Sequence, residues 1–204
     1  MTASQETTKR IIDIVVSGVA LMLLSPLFVV IAIAILIDSP GKALLTQERS
    51  GRGGISFTLF KFRTMFENAP DLRNADGSTY NSLDDPRVTN MGLFLRITSL
   101  DELPQLFNVL AGETSLVGPR PDLVDQARYY GADEWRRLVV KPGITGLAQI
   151  NSRNVISWAA RTRLDLEYVD RQSVSLDLKI LWRTAGCVLS RRDIFITDVR
   201  RTAR

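Results

Sequence analysis

The sequence predicts a mainly helical α+β fold attached to one N-terminal membrane segment. Three observations carry this expectation. Ile14 to Ile37 is an apolar run of 24 residues without a charge. Two short runs rich in β-branched and aromatic residues flank a glycine-rich turn at Ser50 to Gly54. Most of the remaining chain reads at helical spacing or as Pro- and Gly-marked turns.

As one helix the apolar run reaches about 36 Å, enough for the ~30 Å hydrocarbon core of a bilayer. Ser25-Pro26 stands at its midpoint. Proline lacks a backbone N–H and crowds the preceding turn, so it kinks or breaks a helix. Each half alone, about 18 Å, is too short to span. Lys9 and Arg10 precede the run; Lys42, Arg49 and Arg52 follow it. Cytoplasmic flanks favour Lys and Arg, so two basic flanks suit a hairpin that enters and leaves by one face. A kinked spanning anchor is the alternative, because membrane helices accept proline. A cleaved signal peptide fits less well: the apolar stretch exceeds the usual ~7–15 residues and no A-x-A-like site follows closely.

After the run, Leu44 to Gln47 and Ile55 to Phe62 read as strands joined by the Gly-rich turn into a hairpin. Asn68 to Asn90, with Pro70, Gly77, Pro86 and many Asp and Asn, reads as a surface loop. Leu93 to Ile97 and Leu103 to Leu110 read as short helices. Gly118-Pro119-Arg120-Pro121 is a rigid extended turn. Helices are expected over Asp122 to Tyr130 and Asp133 to Val139. Pro142 to Gly146 is a turn leading into Leu147 to Ile150, followed by a charged helix over Ser157 to Arg171. Leu176 to Leu189 is amphipathic, with Leu178, Leu181, Ala185, Val188 and Leu189 at helical spacing. Trp182 beside Lys179 and Arg183 suits either a membrane interface or a core-facing helix. A basic tail follows Arg191.

Composition narrows the chemistry. Net charge is +4, which suits an anionic partner: lipid headgroups, nucleotide phosphates or nucleic acid. There is no histidine and one cysteine, Cys187. Ser-His and Cys-His catalytic pairs, histidine metal sites and intramolecular disulfides are thereby excluded. Acid–base, nucleophilic and metal chemistry falls mainly to carboxylates, with Lys and Arg stabilising anions. Trp135, Trp158 and Trp182 do not interleave with a basic stripe, and no nucleic-acid reader motif is present. No P-loop occurs either.

The most suggestive carboxylates are Asp101 and Glu102 in Thr98-Ser99-Leu100-Asp101-Glu102-Leu103-Pro104-Gln105-Leu106. Ser99 and Glu102 have the spacing of a capping box, although Pro104 would lie too deep in such a helix. The same placement allows a carboxylate to hold Mg²⁺ against a diphosphate or to attack phosphorus. Cations sit in nearby motifs: Lys61 and Arg63 in Lys61-Phe62-Arg63-Thr64-Met65, then Arg96, Arg120 in its Pro-Arg-Pro turn, and Arg153 in Asn151-Ser152-Arg153-Asn154. Arginine suits bidentate phosphate contacts and lysine acts as a point charge.

These motifs, in order with Lys9-Arg10-Ile11-Ile12-Asp13, Ser25-Pro26, Ser115-Leu116-Val117-Gly118-Pro119-Arg120-Pro121, Lys141-Pro142-Gly143-Ile144-Thr145-Gly146 and Leu176-Asp177-Leu178-Lys179, closely resemble the small bacterial monotopic phosphoglycosyl transferases. These are polyprenyl-phosphate sugar-1-phosphate transferases. Ser152 stands where relatives often have Gly, and Asn90 where a basic residue is frequent.

The resemblance implies a re-entrant helix-break-helix hairpin over 1–40, interrupted at Ser25 and Pro26. A catalytic domain over 41–204 would follow, with a small β-hairpin and amphipathic interfacial helices around the site. It implies the cytoplasmic face of the bacterial inner membrane, with both chain ends cytoplasmic. The chain would be the minimal catalytic unit, without the extra N-terminal spans of larger relatives. Asp101 would attack a UDP-sugar, releasing UMP, and polyprenyl phosphate would accept the sugar phosphate, starting surface glycan or glycoconjugate assembly. Mg²⁺ would sit near Asp101 and Glu102, and Glu102 would position groups or handle a proton. Substrate contacts would come from Lys61, Arg63, Arg96 and Arg153, with Arg120 reaching the base and Asp177 organising the site. The partners are then a UDP-sugar, polyprenyl phosphate and membrane lipid, not nucleic acid; a homo-oligomer is left open. A non-catalytic membrane scaffold and a membrane-anchored nucleic-acid module are the rival readings.

Overall fold

The computed structural model describes residues 1–72, 80, 82, 84–151 and 157–190. Its first element, α1 (Ala3–Asp38), starts at a reciprocal capping box between Thr2 and Gln5. The helix continues through Pro26, so the interruption expected at Ser25-Pro26 is not a break in secondary structure. Pro26 cannot donate to the carbonyl of Met22, four residues back, but Ser25 Oγ donates to that same oxygen at 2.9 Å. The Ser-Pro pair thus trades a backbone hydrogen bond for a side-chain one.

One stripe of α1 faces the rest of the protein along its whole length. Asp13, Ser17, Ile31 and Ile35 are buried, with Ala20, Leu21, Leu27, Phe28 and Ala32 packed between and beside them. This is the three-to-four spacing of one helix face. The opposite face leaves Val15, Val19, Met22, Leu23, Val29, Val30, Ile33 and Ile37 exposed. Both ends are tied to the same body. Arg10 donates to the carbonyls of Val109 and Leu110 at 2.6 and 2.8 Å, and Asp38 accepts the Met91 amide at 3.1 Å.

The expected hairpin is β1 (Leu44–Ser50) against β2 (Ser56–Phe62), in register from Leu44↔Phe62 to Ser50↔Ser56. β1 runs three residues further than the sequence suggests, up to the turn. Next come α2 (Asn90–Thr98), a 3-10 turn at Leu100–Glu102, and α3 (Gln105–Ala111). α3 is only about 10 Å long, yet it touches Arg10 at its end and, through Phe107, the Phe28 ring at 6.1 Å. The two halves of α1 therefore meet on one short helix.

β3 (Ser115–Val117) and β4 (Gly143–Thr145) form a second, parallel sheet; β4 lies where the sequence suggests a turn, and β3 in a stretch without a strand signal. A Cβ on Gly143 would lie 2.0 Å from the Gly118 nitrogen, so these backbones touch and only glycine fits. Between the strands, the helix expected at 122–130 is a 3-10 stretch, Val124–Tyr129, and the next is α4 (Ala132–Arg137), shorter than expected. α5 (Leu147–Asn151), α6 (Trp158–Arg171) and α7 (Val174–Ser190) complete the described chain.

One core gathers Leu106, Val109, Leu116, Val117, Ile150, Tyr168 and Ile180. A second gathers Ile31, Ile35, Phe62 and Leu95, and Leu103 packs against both. Ile180 carries the inward face of α7, while Trp182 is 82% exposed, which removes the core-facing reading for that residue.

Candidate active site

The site begins where β2 ends. Lys61 is the penultimate residue of β2, and α2 presses against the chain just beyond it. A Cβ on Gly92 would lie 2.0 Å from the Thr64 carbonyl oxygen. The Thr89 amide donates to that oxygen at 3.1 Å, and Arg96 Nε donates to Thr64 Oγ1 at 3.0 Å. Lys61 and Arg96 are brought together by this contact. α2 then stops at Ser99, a left-handed residue with φ 59°. A non-glycine residue there costs about 1–2 kcal/mol, and its effect is to turn Asp101 inward, where it is 7% exposed.

Asp101 Oδ2 lies 3.9 Å from Lys61 Nζ. Glu102 Oε1 accepts from Arg120 Nη2 at 2.5 Å. The Ser99 side chain makes no capping bond to the turn that follows, so the capping box suggested by spacing gives way to the Glu102–Arg120 pair. Arg120 is held in place by the backbone contact between Gly118 and Gly143 and by Arg49, whose Nη1 donates to the Pro121 carbonyl at 3.1 Å.

Burial pushes the Asp101 carboxyl up to about 6, against the pull of Lys61. Burial also lowers Lys61 and Arg96, with Asp101 opposing in both cases. Arg49 falls to about 10, first through burial and then through repulsion by Arg120. Arg120 itself is raised, chiefly by Glu102. Four cations, Arg49, Lys61, Arg96 and Arg120, thus act around two carboxylates. The nearby Asp122 is committed to Arg137 and Arg161 at 2.7 and 2.6 Å, and Asp85 to Arg87 at 2.7 Å. The surplus of positive charge suits a multiply charged anion such as a diphosphate.

Of the residues expected from sequence, Asp101, Glu102, Lys61, Arg96 and Arg120 converge. Arg63 is placed elsewhere: it donates to the carbonyls of Ser39 and Pro40 at 2.7 and 2.5 Å, closing the C-terminal end of α1. Asp177 also lies apart from these contacts. It accepts from Lys9 at 2.6 Å and from the Tyr168 hydroxyl at 2.8 Å, pinning the start of α1 to α7. Arg153 lies outside the described residues.

Arg49 was read only as a flanking charge. The signal for it was an arginine two residues before a turn glycine, which is too common a pattern to single out. Behind it lies a polar network equally silent in sequence. Asp122 takes Arg137, Arg161 and Tyr130, Asp165 pairs with Arg137 at 2.8 Å, and Trp158 covers Arg161 at 4.4 Å.

Among the described residues no three carboxylate, cysteine or histidine groups converge on one point. Mg²⁺ keeps several waters and binds through one or two carboxylates plus substrate phosphates. The adjacent pair Asp101 and Glu102 fits that mode and would leave the other positions to phosphate oxygens and water.

The bacterial sugar transferase family matches residues 4–191. An uncharacterized sugar transferase of Haemophilus influenzae is 40% identical over 92% of the chain, which spans 42% of that relative. The UDP-glucose:undecaprenyl-phosphate glucose-1-phosphate transferase of Caulobacter vibrioides is 40% identical over 89% of the chain and 70% of its own length. The undecaprenyl-phosphate galactose phosphotransferase of Salmonella typhimurium is 40% identical over 92% of the chain, which again spans 42% of the relative.

Proposed function

The chain belongs to the bacterial sugar transferase family, and from that premise we propose that it transfers a sugar-1-phosphate from a UDP-sugar to polyprenyl phosphate. The observation that carries this is the buried Asp101 facing Lys61 inside a ring of cations that outnumber the carboxylates. In a chain without histidine, an ionised carboxylate is an oxygen nucleophile that needs no general base to activate it.

In this reading an Asp101 oxygen attacks the β-phosphorus, and the bond from that phosphorus to the bridging oxygen breaks. UMP leaves with the bridging oxygen, and the sugar phosphate stays on Asp101. An oxygen of polyprenyl phosphate then attacks the same phosphorus and releases the carboxylate, giving a polyprenyl diphosphate sugar. Lys61 and Arg96 hold the charge that builds on phosphate oxygens. Arg120, clamped by Glu102 and backed by Arg49, orients the nucleotide side of the donor. Asp101 and Glu102 would hold Mg²⁺, which would supply positive charge against the diphosphate.

The membrane placement follows the same reading. α1 is bound to one body at both ends and along one stripe, while its other face is apolar and exposed. That supports a re-entrant segment on the cytoplasmic face of the inner membrane, with the site at the depth of the lipid phosphate. Phe94 and Phe107, each half exposed on α2 and α3, extend the apolar surface beside the site.

The test is UMP release in lipid particles with Mg²⁺, polyprenyl phosphate and a panel of UDP-sugars, with Asp101→Asn in parallel. Turnover that needs the lipid and vanishes in the variant bears the reading out and names the sugar. Folded protein that binds membrane but releases no UMP from any donor replaces it with the scaffold reading.

A further inference from the structure

A second cationic cluster sits at the opposite end of α3 from Asp101. Among the described residues Arg10 bonds only the neutral carbonyls of Val109 and Leu110. Lys141 has no hydrogen-bond or ion-pair partner among the described residues. The two meet over Gly112, where φ is +87° and a Cβ would lie 3.2 Å from Arg10 Nη2 and 3.5 Å from Lys141 Nζ. A side chain at this position would fill the space between the cations; glycine leaves it open. The nearest acids are engaged elsewhere: Asp13 is buried and accepts the Leu116 amide at 3.0 Å, and Glu113 accepts from Asn108 at 2.7 Å. Lys9 is spent on Asp177. Burial lowers Lys141 and repulsion by Arg10 lowers it further, while the Asp13 carboxylate pulls the other way.

Two half-buried cations without a carboxylate between them form a receptor for an anion. The location says which anion. Arg10 immediately precedes the exposed apolar residues Ile11, Ile14 and Val15 of α1, so the cluster lies where an apolar surface begins. A basic group at that boundary meets lipid phosphate rather than hydrocarbon. We propose that Arg10 and Lys141, over Gly112, bind the phosphodiester headgroup of an anionic phospholipid, at a site distinct from the one around Asp101. The headgroup would fix the depth and tilt of the protein and so the height of the active site above the bilayer. This rests on the membrane placement of α1 and not on the transfer chemistry.

The test titrates short-chain phosphatidylglycerol, short-chain phosphatidylcholine and inorganic phosphate into the full chain in neutral detergent, reading Tm. Lys141→Gln is the clean variant, because Lys141 supports no other group; Lys141→Arg is the rescue. Phosphatidylglycerol is expected to raise Tm saturably and phosphatidylcholine is not. Lys141→Gln is expected to weaken the apparent affinity roughly fivefold, the factor carried by one interfacial basic residue, and Lys141→Arg to restore it. Equal responses of wild type and Lys141→Gln overturn the site. A phosphate response as tight as that to phosphatidylglycerol, with the same Lys141 dependence, overturns the lipid as its occupant. Partition into phosphatidylcholine vesicles, measured alongside, reads the placement of α1 alone and separates failure of that premise from failure of the site.

Discussion

Arg120 Nη2 lies 2.5 Å from Glu102 Oε1, while Lys61 Nζ stands 3.9 Å from Asp101 Oδ2. The asymmetry divides the adjacent carboxylates. Glu102 is held in a short charge-assisted pair, and Asp101 is buried, loosely paired and available to a second reagent. Arg120→Ala and Glu102→Gln therefore remove one shared element. Each alone is expected to lower kcat/KM for UMP release by about 10²-fold, the scale of losing one preorganised electrostatic contact. The double variant is expected to lose less than the product of the two. Arg120→Lys should not rescue, because a single ammonium cannot present a planar fork. Losses that multiply independently would show that the pair does not act as a unit.

Asp101 carries a pH signature. Its carboxyl is raised from an ordinary 3.8 to about 6, first by burial. Between these values the folded protein keeps a proton that the unfolded chain has lost. This group therefore lowers stability as pH rises through that window, and the loss is complete above pH 6. In metal-free protein, a carbon-detected NMR titration of Asp101 should show a midpoint near 6. Lys61→Met should move it higher, since Lys61 is the main opposing influence. Added Mg²⁺ should move it lower, because the metal binds the ionised form. A midpoint near 4 without metal would mean that Asp101 is not desolvated as the structure has it.

Much of this arrangement was readable from the chain, for identifiable reasons. The hairpin was legible because β-branched and aromatic runs flank a glycine turn, and α1 because 24 uncharged residues admit few alternatives. Asp101, Glu102, Lys61, Arg96 and Arg120 were legible as members of ordered motifs. The parallel pair β3 and β4 was not, since each strand has three residues and they pair across a long separation. Local pattern carries no trace of such a contact. The same holds for Arg49 on Pro121, and for Asp122 with its partners 15 and 39 residues away. Ser99 and Glu102 show the converse: correct capping spacing, overridden because a guanidinium across the site offers Glu102 a charged partner.

The network behind the site yields a stability prediction. Arg137 bridges Asp122 and Asp165, and all three are almost fully buried. Arg137→Met would leave two buried carboxylates facing each other with, among the described residues, only Arg161 and Tyr130 remaining on Asp122. Breaking a buried pair from one side typically costs about 3–5 kcal/mol, so chemical unfolding should show a loss of that size. Restoring neutrality with Arg137→Met together with Asp165→Asn should recover part of it. A loss below about 1 kcal/mol in the single variant would indicate that water reaches the network.

Ser25 and Pro26 permit a sharper test than either gives alone. Ser25 Oγ occupies the Met22 carbonyl that Pro26 leaves unbonded. With α1 in lipid, where no water replaces the bond, Ser25→Ala should strip that oxygen of its partner and cost about 1–3 kcal/mol. Adding Pro26→Ala returns a backbone N–H at the right place, so the double variant should regain the loss. The same pair bears on topology. Both ends of α1 are fastened to one body, through Arg10 and through Asp38. Cysteines placed at the exposed positions Ser4 and Lys42, with Cys187 replaced, should therefore react with an impermeant reagent from the same side of the membrane. If the two label from opposite sides, the contacts at one end of α1 must open in the bilayer, and the helix spans. If they label together and Ser25→Ala is rescued by Pro26→Ala, the proline serves to bend a helix whose hydrogen bonding stays intact, and α1 returns to the face it entered.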